Sequence, residues 1–160
     1  MSVLKIRKNP DPVLRKKARK VAEIDDSVQR LIDNMIDTLD DAGGVGLAAN
    51  QVGVPLRIVI IQIPDDEVMV LVNPEIIERT GERLVMEGCL SLPGYQAEVK
   101  RSESVRVKAR DRHGKLFRKK ATALLAQAFE HEIDHLNGTL YIDYLQDMDK
   151  LQKVDYEQDY

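Results

Sequence analysis

The sequence contains few of the residues on which secreted and membrane proteins depend. Among its 160 residues there is one cysteine and no tryptophan, and only 4% are aromatic. A single cysteine cannot form an internal disulfide, which indicates a reducing compartment. No segment approaches the roughly 18 consecutive apolar residues of a membrane span, and residues 1–10 lack the apolar stretch of a secretory signal. We therefore expect a cytoplasmic protein that has no contact with membranes.

Charge is distributed unevenly along the chain, although the net charge is only −3. Residues 98–120 contain ten Lys or Arg against three acids, whereas residues 129–160 contain nine acids against two Lys. A second basic stretch covers Arg15 to Lys20. These segments are either solvated surfaces or a basic face that meets a polyanion such as RNA. Because few aromatics are available for base stacking, we expect at most a transient contact and no stable nucleic-acid complex.

The chain is long enough for one domain with its own core. Apolar residues between positions 28 and 39 recur at helical spacing, after a cap at Asp25 to Ser27 and before Gly43-Gly44. This pattern predicts an N-terminal amphipathic helix. We predict a single domain over residues 1–160, in which residues from about 146 onward form an acidic tail.

The middle of the chain reads as short strands. Residues 56–63 and 68–72 are rich in β-formers, and residues 76–79 and 82–86 are predicted to pair as a hairpin around Gly81. Apolar and charged residues alternate from 105 to 109, and helical spacing resumes at Ala121. The order of helix, strands and helix predicts an α+β fold with antiparallel sheet.

His131 and His135 are four residues apart on this second helix, so both imidazoles project from one face. Such a pair can bind one metal ion, while Glu132 handles the proton of an attacking water. A third ligand is needed, and the sequence offers His113, the acids from Asp143 to Asp149, and Cys89. A thiolate with two imidazoles would leave one position open, as a catalytic site requires.

A glycine-rich segment, residues 43–53, forms a third unusual feature. It holds four glycines, which permit close approach of the backbone to a ligand. It lacks the Gly-Lys-Ser/Thr of a phosphate-binding loop, so that function is excluded. The polar Gln51 that ends the small-residue stretch is not explained by a structural bend alone.

Three segments, in order and spacing, resemble the peptide deformylase family. They are Gly44-Val45-Gly46-Leu47-Ala48-Ala49-Asn50-Gln51, Glu87-Gly88-Cys89-Leu90-Ser91 and His131-Glu132-Ile133-Asp134-His135. The resemblance implies antiparallel sheets wrapped around a central helix that carries the two histidines. It implies Cys89, His131 and His135 as metal ligands, and Glu132 as the catalytic acid and base. Stabilisation of the oxyanion is implied for the side-chain amide of Gln51 and the backbone N–H of Leu90.

The resemblance also implies a substrate and a metal. The substrate would be the N-formyl-methionyl end of a new polypeptide, contacted by Val45, Gly46, Glu87, Leu124, Gln127 and Ala128. One divalent metal per chain is expected, Fe²⁺ in cells, and the ligand set also accepts Zn²⁺, Ni²⁺ or Co²⁺. A transient ribosome contact through the basic surface is the expected partner interaction.

Two positions depart from the family pattern. Glu130 stands where the family usually has Gln, and Gln127 stands where many relatives carry an apolar residue, so a preference for methionine does not follow automatically.

Asp134 is either a solvent-facing residue or the partner of Arg101 in a buried pair that supports the metal ligands.

Parts of the sequence are also compatible with two functions other than deformylation. A zinc endopeptidase would use the same helix with His113 or a late acid as third ligand, which leaves Cys89 and the glycine segment without a task. A non-enzymatic RNA-associated domain would use the basic stretches and would bind RNA in a salt-sensitive way without Glu132.

Overall fold

The computed structural model describes residues 2–154, so the predicted acidic tail lies outside the described residues from Asp155 onward. It contains two α-helices, α1 (Asp26–Ala42) and α2 (Ala123–Leu136). The eight strands are β1 (Gly46–Ala48), β2 (Ile58–Ile61), β3 (Met69–Thr80), β4 (Arg83–Cys89), β5 (Leu92–Arg101), β6 (Ser104–Arg110), β7 (Leu116–Thr122) and β8 (Gln152–Lys153). Every pair of these strands is antiparallel, which confirms the α+β class with antiparallel sheets.

The strands form two sheets, one of five strands in the order β1-β2-β3-β6-β7 and one of three in the order β4-β5-β8. The predicted hairpin around Gly81 is wrong. The end of β3 pairs with β6, Thr80 opposite Ser104, whereas the start of β4 pairs with β5, Arg83 opposite Arg101. A turn glycine indicates where the chain reverses, but it does not select the neighbour with which the next strand exchanges hydrogen bonds.

Helix α1 begins and ends where the sequence predicts. The side chain of Asp25 accepts a hydrogen bond from the backbone N–H of Val28 at 3.0 Å, and Gly43 ends the helix in the left-handed conformation. The buried face packs on β1 and β2; its members are Val28, Ile32, Met35 and Leu39. Within residues 2–154 neither helix is both long and apolar enough to span a membrane.

Strand β2 separates two hydrophobic clusters. Its residues alternate between them, with Ile58 and Ile60 in the cluster that includes α1, and Val59 and Ile61 in the cluster that includes Phe129 of α2. All four are buried. Because successive strand residues point to opposite faces, one helix packs on each face of this part of the sheet. Helix α2 is therefore buried along most of its length, from Ala126 to Ile133 without interruption.

The chain turns sharply after α2 at Gly138, which gives a test of how α2 is held. Gly138 has φ +78, and a Cβ there would lie 2.5 Å from the backbone oxygen of Arg15. Gly43 has a similar φ of +68 with nothing within 4 Å, so it serves as the control. We expect Gly43→Ala to lower the free energy of unfolding by about 1 kcal/mol and Gly138→Ala by clearly more. Chemical denaturation measures both, and equal losses would show that the Arg15 segment yields without cost.

Candidate metal centre

Two elements carry the candidate ligands, and a third carries Gln51. Cys89 is the last residue of β4, and His131 and His135 lie one turn apart on α2. A short 3₁₀ helix, Ala49–Val52, carries Gln51. All four residues are buried. Cys89 and the histidines are more than 40 residues apart in the sequence, and side-chain hydrogen bonds of α2 to β4 and β5 hold them together.

The ligand atoms of this trio converge on one point. The Cys89 Sγ lies 3.2 Å from the His135 Nε2, and the two histidine Nε2 atoms are 3.3 Å apart. All three ligand atoms lie within 4.8 Å of one another, and they form the group of metal-binding side chains found among residues 2–154. Ligands of a tetrahedral zinc-type ion, with bonds of about 2.0 to 2.3 Å, are separated by similar distances.

The electrostatics of the cavity also favour a cation. Burial alone would lower the pKa of His131, but the charges of Glu132 and Glu87 outweigh it and raise the pKa well above its usual value. Burial and the charge of His131, by contrast, lower the pKa of His135 well below its usual value, so the carboxylates favour a positive charge at His131 while the imidazole of His135 is neutral. One thiolate and two imidazoles, surrounded by carboxylates, are suited to a divalent ion of intermediate softness.

The carboxylate of Glu132 lies beside the ligand atoms. Its Oε2 lies 3.9 Å from the His131 Nε2, and within the described residues neither carboxylate oxygen has a hydrogen-bond partner. Burial raises the pKa of Glu132 to about 7. The opposite wall is Gly46 of β1, where an added Cβ would lie 2.6 Å from the Glu132 Oε2. A buried carboxylate without a partner is costly, which makes Glu132 a candidate for a functional role.

Glu87 is a supporting residue that the sequence did not predict in this role. Its two oxygens accept hydrogen bonds of 2.6 Å each from the Nε and the second terminal nitrogen of Arg101. The same carboxylate lies 2.6 Å from the His131 Nδ1. Burial alone would raise the pKa of Glu87, but the hydrogen bonds from Arg101 outweigh it and lower the pKa to about 2. Glu87 is therefore ionised and orients His131; its predicted contact with substrate stays a prediction.

The predicted pairing of Asp134 with Arg101 is confirmed. The Arg101 guanidinium donates to the Asp134 Oδ2 at 2.8 Å, and the hydroxyl of Tyr144 donates to the same oxygen at 2.7 Å. The Arg101 side chain is 3% exposed and that of Asp134 is 16% exposed. Arg101 thus joins Glu87 on β4 to Asp134 on α2.

Gln51 lies beside Cys89. Its Nε2 donates to the Ser91 Oγ at 3.1 Å and lies 3.6 Å from the Cys89 Sγ, while its Oε1 accepts from the backbone N–H of Ala48. Leu90 and Ser91 form the turn between β4 and β5. The amide of Gln51 is therefore held in one orientation beside the candidate ligands, and Leu90 directly follows Cys89.

The N-terminal segment fastens these pieces from behind, a role that no pattern in the sequence indicates. The backbone N–H of Arg7 donates to the backbone carbonyl oxygen of Gln51 at 2.7 Å, and the backbone N–H of Asn9 donates to that of Ser91 at 2.8 Å. The Lys8 Nζ donates to the Leu90 oxygen at 3.2 Å. Three consecutive residues thus hold the Gln51 helix and the Leu90–Ser91 turn together.

The remaining predicted contacts lie around α2 and β1. Gln127 donates from its Nε2 to the Met86 oxygen and to Glu87, at 3.2 and 3.3 Å. Ala128 is buried in the same cluster against which Val45 packs, and Leu124 is half-buried on the first turn of α2. The structure gives Gln127 fixed partners on β4, which explains how a polar side chain is accommodated at this buried position.

Glu130 faces away from the ligands. Its carboxylate accepts from the backbone N–H and the hydroxyl of Ser102, at 2.7 and 3.0 Å, and pairs with the Arg79 Nε at 3.1 Å. The acid at this position therefore fastens α2 to the turn between β5 and β6. A glutamine could not form the ion pair with Arg79.

The alternative third ligands lie elsewhere in the structure. His113 is exposed in the turn between β6 and β7. Asp143 forms a two-pronged pair with Arg15 at 2.6 and 3.0 Å and accepts from the backbone N–H of Leu140. Neither residue is part of the converging group, whereas Cys89 is.

Comparison with known proteins identifies close relatives. The sequence matches the family model described as polypeptide deformylase over residues 3–151. A protein of Dehalococcoides mccartyi named peptide deformylase is 54% identical over 155 residues, which cover 96% of this chain and 93% of the relative. The crystal structure of a peptide deformylase from Legionella pneumophila is 49% identical, with a TM-score of 0.90 over 92% of this chain and 89% of that one. A peptide deformylase from Ehrlichia chaffeensis, crystallised in complex with actinonin, is 36% identical, with a TM-score of 0.91 over 94% and 92%.

The Arg101 interactions can be tested by substitution. We expect Arg101→Ala to lower the free energy of unfolding by about 3–5 kcal/mol, because it leaves Glu87 buried and unpaired. Asp134→Asn should cost about 1.5–3 kcal/mol, the usual loss for a hydrogen bond to a charged group. Both variants should also retain less metal after dialysis. Asp40→Asn, an exposed position on α1, is the control.

The double variant Arg101→Ala/Asp134→Asn separates the interaction between these two residues from the interactions that each makes with its other neighbours. Coupling between positions 101 and 134 should make the combined loss smaller than the sum of the single losses. Strict additivity in denaturation would show that Asp134 does not depend on Arg101.

Proposed function

The chain belongs to the polypeptide deformylase family, metal-dependent hydrolases that remove the formyl group from nascent peptides, and we propose that Cys89, His131, His135 and Glu132 perform this reaction here. The observation that carries the proposal is the convergence of one thiol and two imidazoles beside a buried carboxylate without a hydrogen-bond partner. Neither rival function accounts for Cys89 at this point.

Cys89, His131 and His135 would hold the metal, with the Glu87 carboxylate fixing the ring of His131 through its Nδ1. When bound, a divalent ion supplies Lewis acidity, which makes water nucleophilic near neutral pH and polarises the formyl carbonyl. We infer Fe²⁺ as the ion used in cells, since the family resemblance points to it; the same ligands accept Zn²⁺, Ni²⁺ or Co²⁺.

Glu132 moves the proton. A water oxygen adds to the formyl carbon, and a Glu132 carboxylate oxygen accepts the proton that this water loses. The same oxygen then donates the proton to the leaving nitrogen as the C–N bond breaks, which releases formate and a free amino terminus. The enclosed position of Glu132 between His131 and Gly46 supports this role.

Gln51 and Leu90 would stabilise the negative charge that develops on the formyl oxygen. The Gln51 amide is already held by Ser91 and Ala48, and Leu90 is held through its carbonyl by Lys8. Donors fixed in this way need no reorganisation during the reaction. Loss of one such donor typically costs about 3 kcal/mol of transition-state stabilisation.

The peptide part of the substrate would lie along β1. This strand is at the edge of the five-stranded sheet and pairs only with β2 among the described strands. Beyond Gly46 the chain is buried from Leu47 to Val52, whereas Val45 and Gly44 are partly exposed, so an added strand would leave the cleft in that direction. The substrate side chains would contact Leu124, Gln127 and Ala128, and also Glu87, which accepts a hydrogen bond from Gln127.

We further infer that residues 1–160 form one catalytic domain, in which the sheets surround α2 as the helix that carries the motif and the amphipathic α1 covers the outer face. A cytoplasmic location and a transient ribosome contact fit an enzyme that acts on nascent chains. By analogy with the actinonin-bound relative, actinonin should bind in the same cleft.

The proton-transfer role has a direct test. We expect Glu132→Gln to keep its metal and to lose roughly a hundredfold or more in formate release from a formyl-Met peptide, because shape survives and basicity does not. Glu130→Gln makes the same chemical change one residue away and should keep its turnover. Turnover of Glu132→Gln at the level of the unaltered enzyme would remove this residue from the mechanism.

The ligand role of Cys89 is tested by metal content. Cys89→Ser should lose most of its metal during purification, since a serine hydroxyl is a far weaker ligand for these ions than a thiolate. Asp143→Asn is the matched variant and should retain metal. Full occupancy in Cys89→Ser together with depletion in Asp143→Asn would favour the endopeptidase arrangement.

A further inference from the structure

A cavity of about 450 Å³ lies beside the C-terminal end of α2 and shares no residue with the candidate metal centre. Four cationic side chains line it, Lys17, Lys20, Arg57 and Arg79, against one carboxylate, Glu75. Lys17 and Lys20 belong to the basic stretch Arg15 to Lys20, which deformylation does not explain.

The backbone brings these cations together. The N–H of Ala18 donates to the Leu136 oxygen at 2.8 Å, which fixes the basic stretch to the end of α2. The N–H of Arg57 donates to the Arg19 oxygen at 2.9 Å, which fixes the same stretch to the start of β2. The cationic lining is therefore built on ordered main chain at both ends.

Arg57 already has one structural task. Its guanidinium donates to the Leu136 oxygen at 3.1 Å and to the Asn137 Oδ1 at 3.0 Å, at the negative end of α2. A third acceptor, the backbone oxygen of Ala18, lies 3.4 Å from the same guanidinium. Burial lowers the pKa of Arg57, and the charge of Glu75 opposes this effect. These three acceptors of the Arg57 guanidinium are neutral oxygens, so this partly buried cation is a favourable place for an anion.

The negative charges in and around the cavity, including that of the C-terminal end of α2, do not neutralise its four cations. Glu75 and Glu130, the partner of Arg79, each contribute one negative charge, and the helix end contributes about half a charge. Set against four cations, these leave the cavity at about +1.5. Lys17 and Lys20 are exposed, whereas Arg57 is half-buried and held by hydrogen bonds, so the cavity combines mobile cations with a fixed one.

We propose that this cavity binds a phosphate group. Arg57 would contribute directed N–H donors and Lys17 and Lys20 would contribute mobile point charges, a combination suited to the charge and size of a phosphate. The phosphate could belong to a free small molecule or to the backbone of an RNA, and the chemistry of recognition is the same for both. The site is independent of formyl hydrolysis.

The test uses zinc-loaded enzyme and inorganic phosphate, followed by NMR through the Arg57 Nε–H and the Ala18 amide at low ionic strength. Phosphate should shift both signals, and the double variant Lys17→Ala/Lys20→Ala should raise the dissociation constant about tenfold or more. The control variant Lys115→Ala/Lys120→Ala removes the same charge from exposed residues outside the cavity and should leave the constant within about twofold. Formate release should be unchanged in both.

A short oligouridylate then distinguishes the two sources. If it shifts the same signals and is displaced by phosphate, the ligand group is a backbone phosphate; if phosphate alone shifts them, the ligand is a small molecule. The proposal is overturned if millimolar phosphate leaves the Arg57 and Ala18 signals in place, or if both double variants weaken binding equally.

Discussion

A single buried carboxylate, that of Glu87, joins the elements on which the metal centre depends. It accepts two short hydrogen bonds from Arg101 and lies 2.6 Å from the Nδ1 of His131, so β4, β5 and α2 meet at one charged group. At 1% exposure this charge would cost several kcal/mol without its partner. The folded chain must therefore keep Arg101 in place, and with it the orientation of His131.

Two consecutive residues extend this constraint along the helix. Arg101 binds Asp134, and Ser102 binds Glu130 through both its N–H and its hydroxyl. Because the two acids are one turn apart, α2 is held against β5 at two points rather than by apolar packing alone. Catalytic geometry requires ligands positioned within about 0.5 Å. Directed hydrogen bonds at both points provide such positioning, and the glutamate at position 130 adds the pair with Arg79.

The two faces of the five-stranded sheet serve different purposes. Alternation along β2 gives α1 one face and α2 the other, which leaves β1 as an edge strand beside Glu132. The free edge suits an extended peptide, because it offers backbone groups without regard to side-chain sequence. At the C-terminal end of α2 the chain forms a cationic cavity, so the same helix separates the candidate metal centre from this cavity.

Local patterns in the sequence determined much of this protein. Helical spacing and caps located α1, and alternation located β6. The resemblance of three short motifs to the peptide deformylase family implied Cys89, Gln51, Glu132 and the histidines as site residues. For Asp134 the sequence left two alternatives, a solvent-facing position or a pair with Arg101, and the structure shows the pair. Tertiary structure alone decided that β3 and β4 enter different sheets, that Glu87 orients His131, and that residues 7–9 fasten the site. These depend on hydrogen bonds between residues up to 82 positions apart. Spacing along the chain carries no information about such partners, because they are selected only when whole faces pack together.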